Sequence, residues 1–140
     1  MIFESHSEAE TFRFAEQLAE KAKAGQIYCL DGDLGAGKTV FAKGFAAGLG
    51  IADPVTSPTF NIVKEYREGR LPLFHFDVYR IADPEEMEAI GYEEYLFGEG
   101  VSMVEWSELI EELIPPDAIH ILIQRDVARG DDYRRIEVHA

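Results

Sequence analysis

The 140-residue chain carries 13 basic against 27 acidic side chains, a net charge of −14, which argues against a surface that grips nucleic acid directly. No stretch approaches the ~20 apolar residues of a membrane span, and the first ten residues, with Glu4, His6, Glu8 and Glu10, lack the basic and apolar regions of a secretory leader; one domain over residues 1–140 in a cytoplasmic protein is the expectation. The lone Cys29 excludes an internal disulfide and a cysteine zinc cage, and reads as a small buried core residue.

Ile2 and Phe3 suggest a short first strand. Ser7 with Glu10 then forms a capping box, and Ala9, Phe12, Ala15, Leu18, Ala19 and Ala22 give an apolar stripe that ends at Gly25, a helix of about 17 residues. The run Ile27, Tyr28, Cys29, Leu30 reads as a buried strand. It leads into Gly32, Asp33, Leu34, Gly35, Ala36, Gly37, Lys38 and Thr39, which match the phosphate-cradling pattern G-x-x-x-x-G-K-[ST]. Val40, Phe41, Phe45 and Leu49 follow at helical spacing, so the pattern sits in the strand-loop-helix context its chemistry requires.

Such a loop points backbone N–H groups at phosphate oxygens, its lysine reaches the β/γ-phosphates and its threonine offers a hydroxyl to Mg²⁺. Gly35, Ala36, Gly37, Lys38, Thr39 and Val40 are therefore the candidate nucleotide-binding set for ATP, helped by the positive end of the helix that begins near Lys38. In that helix Gly44 and Gly48, four apart, present a face free of side chains, read as close packing on the sheet, and Gly50 stops it.

The polar turn Thr56–Phe60 precedes a strand over Phe60–Arg67; a turn at Glu68–Arg70 returns the chain through Leu73–Val78, a hairpin. Asp83 and Pro84 start a helix that Gly91 interrupts before the aromatic segment Tyr92–Phe97. Val101–Glu105 reads as a central strand, Ser107 as the cap of a short helix through Leu113, and Ala118–Gln124 with Arg135–Val138 as an antiparallel pair. The expected fold is α/β: a three-layer, P-loop NTPase-like arrangement around a mixed parallel and antiparallel sheet.

A phosphate loop needs a carboxylate to help hold Mg²⁺, because one hydroxyl cannot fix an octahedral ion. Glu105 and Asp77, each at a strand end, both qualify. His75, between Phe74 and Phe76, reads as a hydrogen-bonded sheet histidine, and Trp106 either as core or as a wall of the nucleotide or partner pocket. Thr59 offers a switch-loop hydroxyl or plain turn chemistry. From Ile81 to Gln124 there is no Lys or Arg among many glutamates, either a solvated face or a docking surface for a basic protein.

Gly-Asp-Leu-Gly-Ala-Gly-Lys-Thr at 32–39, Ser-Pro-Thr-Phe at 57–60, His-Phe-Asp-Val-Tyr-Arg at 75–80 and Val-Glu-Trp-Ser-Glu at 104–108, in that order, resemble the bacterial TsaE (YjeE) family over essentially the whole chain. The resemblance implies a Mg²⁺-dependent ATPase that supports the TsaB and TsaD proteins in forming threonylcarbamoyladenosine at position 37 of tRNAs reading codons that begin with A. tRNA would then be met only through that complex, and no membrane is involved. It also implies that Lys38 and Thr39 bind ATP and Mg²⁺, that Glu105 is the direct metal ligand, that Asp77 serves hydrolysis together with Lys38, and that Trp106 stands by the site. Arg80 is a candidate arginine finger in cis. Two rivals remain: a nucleotide-gated binding module without required hydrolysis, and a small-molecule kinase, which the absence of Lys and Arg over the forty-four positions from Ile81 to Gln124 disfavours.

Overall fold

Seven strands pair into one sheet, in the order β1-β7-β6-β2-β5-β4-β3, in the computed structural model, which describes residues 1–32, 36–52, 54–56 and 62–140. In chain order the elements are β1 (Ile2–Ser5), α1 (Glu8–Glu20), β2 (Ile27–Gly32), α2 (Lys38–Gly48), β3 (Val63–Tyr66), β4 (Leu73–Asp77), α3 (Glu86–Ala89), α4 (Tyr92–Leu96), β5 (Val101–Glu105), β6 (Ile119–Arg125) and β7 (Arg134–His139). Short 3₁₀ segments cover Ser107–Leu113 and Val127–Arg129. Gly35, Thr59 and the rest of 33–35 and 57–61 lie outside the described residues.

β6, β2, β5 and β4 run parallel, whereas β7, β1 and β3 are antiparallel additions at the two sides. Strands covered on both faces must be apolar nearly throughout, and all five residues of β5 are buried. Alternation sends Tyr28, Leu30, Val101 and Met103 into a core shared with α1 and α2. Cys29, Phe76 and Val104 enter a second core with Met87 of α3, Leu96 of α4 and Ile110 of the 3₁₀ segment. The three-layer mixed α/β architecture expected from the sequence is the one observed.

The Ser7 hydroxyl caps α1 by accepting from the Glu10 N–H at 3.1 Å. The helix is nonetheless 13 residues long rather than about 17, and at its end the Arg70 guanidinium donates to Ala19 O at 2.8 Å and, just beyond the helix, to Ala22 O at 3.0 Å. Its buried face is also rotated from the expected stripe. Thr11, Phe14, Ala15 and Ala19 are buried while Ala9 is exposed, and Phe14 stacks on Phe3 with centroids 4.4 Å apart.

Gly44 and Gly48 pack on α1, not on the sheet. A Cβ on Gly44 would stand 2.3 Å from Phe12 O, and one on Gly48 would stand 2.2 Å from Glu16 O. Two helices whose backbones approach this closely leave no room for a side chain between them. The hairpin of β3 and β4 and the antiparallel pair of β6 and β7 form as the sequence predicts.

Candidate functional site

Parallel strands bring their C-terminal ends to one edge of a sheet, where α/β folds place ligands. Here the register aligns Leu30 with Glu105 and Glu105 with Asp77, so β5 and β4 end level with one another while β2 runs two residues further, to Gly32. Period-two alternation turns His75, Asp77 and Glu105 toward the side of the sheet that carries α2. The result is a cavity of about 370 Å³ bounded by Gly37, Lys38, Thr39 and Val40 on the loop side and by Asp77, Glu105 and Trp106 on the strand side. Ser7, Glu8 and Thr11 at the start of α1, with Asp132 and Arg134 before and at the start of β7, form the far wall.

Gly37 precedes α2 in the left-handed region, at φ 101°, and no side chain caps the helix there. The first amides of α2 are thus left for a ligand, and anions are what such amides bind. The Ala36 carbonyl is turned away to accept from Arg134 Nε at 2.8 Å. Lys38 is only 8% exposed, and its ammonium lies 4.1 Å from the centroid of the Trp106 ring. Trp106 in turn packs on Tyr79, with centroids 4.8 Å apart. Among the described residues Trp106 is the only non-glycine with positive φ, 63°, a conformation that costs of order 1–3 kcal/mol and that tightly packed functional segments retain.

The two strand-end carboxylates differ. Glu105 is buried, and its Oε2 lies 2.6 Å from Nε2 of the equally buried His75. A hydrogen on Nε2 donates to that carboxylate; one on Nδ1, which has no partner among the described residues, would be a buried unpaired donor. His75 is therefore the hydrogen-bonded sheet histidine expected from the sequence, and its partner is the candidate metal ligand. Asp77 is half-buried, and its Oδ1 accepts from the Tyr79 N–H at 3.0 Å.

Asp31 points to the opposite face of the sheet. Ser107 does not cap its helix as predicted: that position belongs to Trp106, and the Ser107 hydroxyl donates to Asp31 at 3.1 Å and 3.3 Å. Burial raises the Asp31 carboxyl above its usual range despite that hydrogen bond, and burial likewise pushes the Cys29 thiol up to about 11, which leaves it inert. Arg80 is exposed after β4 and does not line the cavity. Sequence patterning missed the wall formed by Ser7, Glu8, Thr11, Asp132 and Arg134; its one trace in the sequence is that Arg125, Arg129, Arg134 and Arg135 crowd into the final segment.

A sequence model of the family described as threonylcarbamoyl adenosine biosynthesis protein TsaE matches residues 5–136. The chain belongs to the TsaE family. The TsaE tRNA threonylcarbamoyladenosine biosynthesis protein of Bacillus subtilis strain 168 is 54% identical over 127 residues, 91% of this chain and 77% of that one. The TsaE protein of Treponema pallidum is 40% identical over 120 residues, 86% of this chain and 88% of its own length. The crystal structure of Bacillus subtilis YdiB superposes with a TM-score of 0.80 at 45% identity, over 97% of this chain and 82% of that one. The TsaE fold and the tRNA-modification assignment of the family thus extend over nearly the whole chain. Among the described residues no helix is long and apolar enough to cross a membrane.

Proposed function

We propose that the cavity binds ATP with Mg²⁺ and hydrolyses it, and that this supports a TsaB–TsaD complex in forming N6-threonylcarbamoyladenosine at position 37 of tRNAs reading codons that begin with A, in the cytoplasm. One observation carries the reading: the uncapped start of α2, the Lys38 ammonium and the carboxylates Asp77 and Glu105 face a single cavity. These residues fit the group. The amides of Ala36, Gly37, Lys38, Thr39 and Val40, together with Gly35 by the sequence pattern alone, would surround phosphates, and Lys38 would supply positive charge once drawn from Trp106.

Thr39 and Glu105 would hold Mg²⁺, since His75 engages one oxygen of Glu105 and leaves the other for an ion. Bound Mg²⁺ would neutralise charge that develops on the phosphate oxygens. Asp77, tied by one oxygen to the Tyr79 amide, orients the attacking water with the other. Thr59 is the proposed γ-phosphate switch, and Arg80, exposed beside Tyr79, is free to turn toward a docked partner or the nucleotide.

The stretch Ile81–Gln124, without Lys or Arg, suits docking on a basic protein surface and disfavours direct grip on tRNA. The test is ATP turnover of the isolated protein, then with TsaB, TsaD and tRNA added. The expected result is turnover that rises with the complex. Nucleotide binding with no turnover under any condition would leave a nucleotide-gated binding module, and phosphate transfer to a small molecule would make the protein a kinase.

A further inference from the structure

Arg134 opens β7, 98 residues away in sequence from the loop it touches. Its Nε donates to Ala36 O at 2.8 Å, while Nη1 donates to Asp131 O and to Tyr133 O, both at 2.7 Å. All three acceptors are neutral carbonyls, and among the described residues Arg134 makes no ion pair. The guanidinium is thus held by two carbonyls of the segment just before it and hooks one specific peptide of the phosphate loop.

In a trans peptide the C=O and N–H point in opposite directions, and no cis bond occurs among the described residues. The carbonyl of Ala36 and the N–H of Gly37 share one peptide. Turning the first onto Arg134 turns the second the other way. The same peptide leads into Gly37 at φ 101°, where a side chain would be strained and where the ring-free backbone rotates easily, so an external hook has something to fix.

We propose that Arg134 is the positioning residue of the phosphate loop: by holding the Ala36 carbonyl it aims the Gly37 N–H at the phosphates of the nucleotide, an inference that rests on the ATP reading above. The planar fork makes this a task for arginine. A lysine ammonium keeps the charge but cannot hold Asp131, Tyr133 and Ala36 in one rigid plane.

The experiment is calorimetric titration of ATP and of ADP into the wild type, Arg134→Ala and Arg134→Lys, with folding followed by circular dichroism. Loop amides cradle the inner phosphates. Arg134→Ala should therefore weaken ATP and ADP by a similar factor, about tenfold or more, the weight of one charge-assisted hydrogen bond. Arg134→Lys should recover only part of the loss. In amide spectra the shift of the Gly37 resonance on adding ADP should shrink in both variants, an effect that a merely structural role would not confine to that amide. Unchanged affinities in folded Arg134→Ala, a loss confined to ATP, or full recovery in Arg134→Lys would each overturn the inference, the last two by assigning a direct γ-phosphate contact or simple charge. Should Arg134→Ala fail to fold, Arg134→Lys carries the same test through its affinities and its Gly37 shift. Failure of the wild type to bind either nucleotide would overturn the ATP reading itself.

Discussion

The ends of two central parallel strands and the start of one antiparallel wing strand reach the same cavity with opposite charges. β4 and β5 end there and bring Asp77 and Glu105; β7 runs the other way, begins there, and brings Arg134. Strand direction therefore decides which terminus a strand presents to the ligand edge. The two regions also differ in how they hold their residues. Glu105 is fixed by a buried neighbour on the next strand, whereas Arg134 is fixed by carbonyls of its own loop and reaches out to a distant peptide. The centre supplies groups suited to a cation and the wing shapes the loop suited to an anion.

Besides the pairing of β6 with β7, the two regions meet at the packing of α1, which follows β1 of the wing, on α2, which follows β2 of the centre. Gly44→Val should break it, because the new side chain would meet the Phe12 carbonyl; a loss of about 3 kcal/mol in urea unfolding is expected. A folded variant of unchanged stability would show that the helices can part freely and that this contact does not hold the wing to the centre. Next in size, Lys38→Ala should weaken nucleotide binding by about 1.5–3 kcal/mol, roughly ten- to a hundredfold, in a folded protein. The Lys38–Trp106 contact adds a spectroscopic check, since indole fluorescence should respond to ATP in the wild type and respond less in that variant.

Asp31→Asn sharpens the comparison on the far face of the centre. Burial raises the Asp31 carboxyl above its usual 3.8, so the folded protein keeps that proton to higher pH than the unfolded chain does. The group's contribution is present below that usual value and is lost as pH rises through the raised one. Asp31→Asn should remove this fall, and at neutral pH the variant should be at least as stable as the wild type, since an amide still accepts from Ser107. Thermal unfolding of both proteins across the acid range checks it. A variant that is less stable at neutral pH would mean the charge is compensated on that face.

Much of the centre was legible because it is local. The Gly-rich pattern, the strand before it and the helix after it lie within about one supersecondary unit, and the hairpin of β3 and β4 closes over a short turn. What could not be read is long-range. His75 meets Glu105 only once β4 and β5 pair in register, and the sequence offered the histidine and the carboxylate as separate candidates. Gly44 and Gly48 announced a close approach, but to the wrong partner: the sequence suggested the sheet, and the structure puts α1 there. Ser107 has the composition of a cap, yet its hydroxyl goes to Asp31 across the strand end, because Trp106 in the left-handed region starts the 3₁₀ segment one residue earlier. Arg134 hooks Ala36 by a fold-level coincidence of β7 with the loop, which no spacing rule reports.

The central claim is that the two carboxylates at the ends of the parallel strands have separate tasks, and the Mg²⁺ concentration that gives half-maximal ATP turnover tests it most directly in Glu105→Gln and Asp77→Asn. A neutral amide is a poor ligand for a hard dication, so Glu105→Gln should need about tenfold more Mg²⁺. Asp77→Asn should lower the maximal rate while leaving the Mg²⁺ requirement near that of the wild type. A Mg²⁺ requirement that moves with Asp77 and not with Glu105 would contradict the account.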